Sequence, residues 1–218
     1  MNSTQPQNNA VPSQQSWEFA EDYVAMPEAV RLARDEATLS GLTPISPGVV
    51  ATLTVLAATT RAKLVVEVGT AMGASALALF EGMAEGGILT SIDPETDSQL
   101  PARKLLTEAG YTSSKFRLIA GNPLEVLPKL NSGAYDIVFV NGDKLEYVEY
   151  VANAERLLRP GGLLVVNDVL WHNQVADPEN EGDEAIIIRE ALQAVNESDA
   201  YQQTLLPIGN GLLVAVKN

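Results

Sequence analysis

The stretch Lys63-Leu-Val-Val-Glu-Val-Gly-Thr-Ala-Met-Gly-Ala-Ser75 constrains this chain more than any other. Its apolar run, Leu64 to Val68, has the length of a buried strand. Gly69 and Gly73 then remove side chains where the chain must turn, which also lets a ligand approach the backbone. From Ser75 to Met83 a helical pattern resumes, so a helix N-terminus with free N–H groups faces the turn. Strand, glycine turn and helix in this order form a cradle of the nucleotide-binding kind. The dinucleotide spacing G-x-G-x-x-G is absent, and E-x-G-x-x-x-G-x-S stands in its place. Glu67 is a lone carboxylate in an apolar run, costly to bury without a partner. It is either a structural group bonded to nearby N–H donors or part of a ligand site.

Strands and helices alternate along the rest of the chain. Residues 17–40 read as helical with a break near Pro27, and Pro47 suits the first turn of a helix to about Thr60. Expected strands are 64–68, 88–92, 116–119, 135–140 and 162–166. Expected helices between and after them are 73–83, 99–109, 123–130, 144–157 and 183–197. Segments 204–206 and 212–216 flank Gly209-Asn-Gly211, a hairpin signal. This alternation predicts an α/β fold, a mostly parallel sheet with helices on both faces and an antiparallel C-terminal hairpin. Ligands of such sheets sit beyond the carboxyl ends of the strands. The residues expected there are Gly69 and Thr70, Asp93, Gly121 and Asn122, Asn141 to Lys144, and Asn167 and Asp168. Asp93, paired with the glycine turn, suits a ribose diol; a helix N-cap or turn before Pro94 is the plain alternative.

With 218 residues the chain can build one full domain, expected over 17–218. Residues 1–16, rich in Asn, Gln and Ser and uncharged, read as a disordered tail. Cysteine is absent, which excludes disulfides and thiolate chemistry and leans towards the cytoplasm. A net charge of −14 argues against nucleic acid and anionic membrane partners. No apolar run is long enough to span a bilayer.

The glycine motif resembles the first motif of S-adenosylmethionine-dependent methyltransferases. More narrowly, the chain is similar to the small, cation-dependent O-methyltransferases related to catechol and caffeoyl-CoA O-methyltransferases. Leu42-Thr-Pro-Ile-Ser-Pro47, Gly121-Asn-Pro-Leu-Glu-Val-Leu127, Tyr135 to Lys144, Leu157 to His172 and Leu206 to Ala215 match that family in order. The resemblance implies a Rossmann-like class I methyltransferase fold with a seven-stranded sheet. It also implies a cofactor site of Ile45, Glu67, Gly69, Thr70, Gly73, Ser75, Asp93, Gly121, Asn122, Pro123, Asn141 and Asp143. Lys144, with Asp143 beside it, matches the family's catalytic base, although a solvated surface lysine is the plain alternative. Asn141, Asn167, Asp168, Trp171 and His172 are expected to line the site of a small hydroxylated acceptor. His172 also reads as a packing or capping group. The acidic stretch 177–184 is a solvated loop or a lid. A homodimer is expected, as is common in the family.

The chain departs from the family at its metal site, two aspartates and one asparagine. Asn141 replaces the first aspartate and Asn167-Asp168 reverses the other pair. One carboxylate instead of two weakens the hold on a hard cation. The expectation is therefore a divalent cation bound weakly or not at all. A cofactor binder that has lost catalysis is a second reading. A nicotinamide oxidoreductase is a third, disfavoured by the missing dinucleotide spacing.

Overall fold

The computed structural model describes residues 11–218. Residues 1–10 of the expected tail lie outside the described residues. Within the rest of that tail the expectation is corrected. Helix α1 spans Gln14–Glu21, with Ser13 Oγ accepting the Ser16 N–H as its N-cap. Such a cap contributes about 1 kcal/mol and sets the start of a helix even in a polar, uncharged stretch. Helix α2 (Glu28–Leu39) follows Pro27, and α3 (Pro47–Thr60) carries Pro47 in its first turn with Ser46 as its cap.

The alternating part runs β1 (Leu64–Val68), α4 (Ala74–Gly82), β2 (Ile88–Asp93), α5 (Thr96–Glu108), β3 (Phe116–Ala120) and α6 (Pro123–Val126). It continues with β4 (Tyr135–Val140), α7 (Tyr147–Leu157), β5 (Leu158–Asn167), α8 (Asp183–Glu197), β6 (Tyr201–Leu206) and β7 (Leu212–Lys217). The helix expected over 123–130 ends early as a 3₁₀ turn at Leu127–Lys129. Pro128 has no N–H to donate back along an α-helix, which explains the change. The helix expected from Lys144 likewise starts as a 3₁₀ turn, Lys144–Glu146. Strand β5 begins earlier than expected because Leu158 pairs with Tyr135 across an irregularity in register. The Arg159-Pro-Gly-Gly162 segment is thus an irregular strand segment rather than a free turn.

The seven strands lie in the order β3-β2-β1-β4-β5-β7-β6. The first five are parallel, and β7 pairs antiparallel with both β5 and β6. Side chains alternate across the strands. Val65, Ile137, Phe139 and Val165 face one core with α2, α3 and α4, whereas Val66, Val68, Val138 and Val166 face another with α7 and α8. Strand order reverses between β1 and β4, so a crevice opens at their carboxyl ends. No helix among the described residues is long and apolar enough to cross a membrane.

Candidate active site

The turn after β1 is shaped by close approach. Gly69 has φ +93°, and a Cβ there would stand 2.3 Å from the Asn141 carbonyl oxygen. Only glycine lets the β1 and β4 ends meet. Asp93, at the end of β2, staples this turn from the side. Its Oδ2 accepts the N–H groups of Thr70 at 2.8 Å and Ala71 at 3.1 Å, and its Oδ1 accepts Glu95 N–H at 2.8 Å. Beneath the turn lies a buried polar chain. Ser75 Oγ–H and Ser91 Oγ–H donate to the two oxygens of Glu67, and the Ser91 and Thr70 hydroxyls meet at 2.6 Å. Burial pushes the Glu67 carboxyl up to about 7; the two serine bonds pull it back and the Asp93 charge adds to the rise.

Two clefts open above this scaffold. The first, about 700 Å³, takes in Val68, Gly69, Met72, Asp93, Asn122, Pro123, Asn141 and Tyr150. Its walls also hold the carboxylates of Glu95, Asp97, Asp143, Glu146 and Asp168, and Lys144 is the one basic residue among the described residues that line it. The second, about 590 Å³, is lined by Trp17, Pro44, Ile45, Asn167, Trp171, His172, Glu184 and Asn210. Thr43, Gly142, Asp143, Lys144 and Asp168 belong to both. The two clefts therefore meet at the end of β4.

That meeting point is electrostatically dense. Lys144 Nζ lies 3.2 Å from Asp168 Oδ2 and donates to the Gly142 carbonyl at 3.3 Å. The rings of Tyr147 and Trp171 lie within 5.0 and 5.6 Å of the ammonium. Burial pushes the Lys144 pKa below that of an ordinary lysine, with Asp168 and Asp143 opposing. Asn167 Nδ2–H donates to Asn141 Oδ1 at 2.9 Å. Asn167 Oδ1 is buried and no donor among the described residues reaches it. The turn after β5 holds Asp168, Trp171, His172 and Asn173 in the left-handed region, with φ between 40° and 67°. Such strain persists only when neighbours over-determine it, and it clusters at functional sites. Here Leu170 N–H bonds Asn210 O at 2.8 Å and His172 N–H bonds Asn210 Oδ1 at 2.7 Å.

The structure distributes the expected residues between three places. Gly69, Asp93, Asn122, Pro123, Asn141 and Asp143 reach the first cleft. Glu67, Thr70, Gly73 and Ser75 do not line it; they hold the turn from within, and Gly121 N–H bonds Asp93 O behind the wall. Ile45 lines the second cleft, Leu42 of the same segment lines the first, and Thr43 between them lines both. Asn167, Trp171 and His172 line the second cleft together. Met72, Tyr150, Trp17 and Asn210 were not anticipated. Tyr150 is 1% exposed, so its apolar helical spacing signals core, and only the fold turns its ring towards a cleft.

A divalent cation fits this donor set poorly. The one carboxylate of the set, Asp168, already faces the Lys144 ammonium, and Asn141 Oδ1 already accepts the Asn167 amide N–H. A metal ion there would displace both contacts and gain a single anionic ligand.

The family model described as O-methyltransferase matches residues 20–218. The chain belongs to the O-methyltransferase family. A protein of Mycobacterium sp. (strain JLS) that carries the O-methyltransferase family name is 40% identical to this methyltransferase over 199 residues, covering 91% of this chain and 90% of that one. A crystal structure of a Corynebacterium glutamicum protein superimposes with a TM-score of 0.85 at 31% identity, covering 91% of this chain and 94% of that one. The O-methyltransferase TomG of Streptomyces achromogenes, involved in tomaymycin synthesis and crystallised with S-adenosylmethionine, also gives 0.85, at 25% identity with 94% and 98% covered.

Proposed function

We propose that this methyltransferase uses S-adenosylmethionine to methylate a hydroxyl of a small phenol- or catechol-like acceptor, without a divalent cation in the step. The observation that carries this is the common wall of the two clefts. A donor in the first and an acceptor in the second would meet at Asp143, Lys144 and Asp168. The first cleft suits the cofactor in size and charge. Its carboxylates favour a sulfonium cation and disfavour the diphosphate of a nicotinamide dinucleotide. Gly69 and the Thr70 and Ala71 backbone, held by Asp93, would carry the amino acid end, and Asp93 with Glu95 would face the ribose.

When bound, the cofactor supplies a reactive methyl group, whose bond to sulfur breaks as the bond to the acceptor oxygen forms. The protein's part is placement and proton removal. Asn167, which lines the second cleft, would help to orient an acceptor hydroxyl. Lys144 Nζ, as the neutral amine, takes the hydroxyl proton. Asp168 then stabilises the ammonium that results. Trp171 supplies an aromatic wall.

The test joins calorimetry with turnover. Binding of S-adenosylhomocysteine but not NAD is expected, along with methylation of catechol that a chelator leaves unchanged. Magnesium-dependent turnover that Asp168→Ala abolishes would refute the metal-free step. The altered metal positions motivate a second reading, a cofactor binder without catalysis. Tight cofactor binding with no turnover over a panel of phenols would favour it.

A further inference from the structure

Glu21 is left unused by the methyl-transfer reading. It is the last residue of α1, yet only 6% exposed. A carboxylate is costly to bury unless hydrogen bonds replace its water. Both oxygens are met. Oε2 accepts Gly48 N–H at 2.7 Å in the first turn of α3, and Oε1 accepts Gly209 N–H from the turn between β6 and β7. The α3 N-terminus favours a negative charge at this place. A Cβ at Gly48 would stand 2.7 Å from Glu21 Oε2, and one at Gly209, where φ is +53°, would stand 2.7 Å from Ser46 Oγ. The socket is therefore built for a carboxylate between two bare backbones.

Trp17 lies one helical turn earlier on the same face of α1. Its Nε1–H donates to Pro207 O at 3.1 Å, in the same turn between β6 and β7. Trp17 is also a wall of the second cleft, as are Gly209 and Asn210. An eight-residue helix is too short to be stable on its own, so its place depends on what pins it. We propose that Glu21 is a positioning residue for the methyl acceptor: a buried latch that holds α1, and with it Trp17, over the second cleft. This rests on the reading of that cleft as the acceptor site.

The chain has two tryptophans, and both line the cleft. In a Trp171→Phe background, Trp17 alone reports on the latch. Glu21→Gln keeps one acceptor oxygen and turns an NH₂ group towards an N–H donor, so the latch opens. Acrylamide quenching of Trp17 should rise, and hydrogen exchange over residues 14–24 should quicken roughly tenfold or more. With the Trp171 side chain intact, KM for catechol should rise roughly threefold to tenfold, the cost of re-ordering one large side chain. Both kcat and S-adenosylhomocysteine affinity should stay within a factor of about two. Unchanged quenching would show that no latch exists. Faster exchange with an unchanged KM would remove the positioning role, and parallel losses in KM and cofactor affinity would reduce Glu21 to a stability residue. If Glu21→Gln fails to fold, Trp17→Ala leaves the latch in place and must give the same KM rise. Wild-type protein that binds S-adenosylhomocysteine but not catechol would instead remove the acceptor-site reading, a failure that the quenching result keeps separate.

Discussion

Lys144 answers to two opposed demands. As a general base it must be neutral when the acceptor arrives, yet an ordinary lysine, with a pKa of about 10.4, is almost wholly charged at neutral pH. Burial lowers its pKa, which raises the neutral fraction, and the carboxylates of Asp168 and Asp143 restrain that shift. The position is therefore tuned by how far those carboxylates are solvated or engaged by an acceptor. Lys144→Met should lower turnover of catechol by roughly 10²–10⁴-fold while S-adenosylhomocysteine binding stays nearly intact. The deficit should shrink for a nitro-substituted catechol, which is already ionised near neutral pH. Equal activity of variant and wild type on both acceptors would make Lys144 a buried structural lysine, its charge serving only Asp168.

The unit of β1, the glycine turn and α4 behaves as one element, with Glu67 at its centre. Folding raises the Glu67 carboxyl from the ordinary 4.5 to about 7, chiefly through burial. The folded chain thus holds this proton more tightly than the unfolded chain. The stability this contributes is fully present below about pH 4.5 and is lost as the pH rises through about 7. Glu67→Gln has no such proton to lose. Melting curves should show the variant gaining on the wild type between about pH 5 and 8, by an amount on the order of 3 kcal/mol at most. Parallel curves over that range would mean that Glu67 remains charged in its serine cage. This element also shows what the sequence makes legible. The strand, the turn and the helix follow from period and glycine placement, and β1, β4 and α8 fall at the expected bounds. The direction of Glu67 was open, because proximity to a glycine turn does not say which side of the backbone a carboxylate takes. Strand alternation does: Glu67 follows Val65 on the face that packs against α4, where Ser75 waits. The sequence places Asp93 at the end of β2, but its grip on three backbone N–H groups follows only from the fold. Trp17 and Glu21 were illegible for another reason. Their partners, Pro207 and Gly209, lie at the far end of the chain, and no local pattern carries such a pairing.

At the scale of the whole molecule, charge and apolar surface pull in opposite directions. A net charge of −14 keeps copies of this chain apart unless a surface patch supplies enough apolar burial to bring them together. Helix α1 and the loop after it offer such a patch. Phe19 and Tyr23 form an exposed ring pair with centroids 5.7 Å apart, at 68% and 73% exposure, and Val24 beside them is 55% exposed. Large exposed aromatics grouped on one element mark contact surfaces more often than isolated ones do. The face of α1 that carries Trp17 and Glu21 is already committed to the fold, so the aromatic pair remains for a partner. A second copy is the partner that the family expectation names. Light scattering at micromolar concentration should therefore give the mass of a dimer, and higher salt should tighten it by screening the repulsion between like charges. Phe19→Glu should shift the population to monomer without lowering S-adenosylhomocysteine affinity, because the residue is not among those that line either cleft. A wild-type protein that stays monomeric at low and high salt would leave these aromatics without that role.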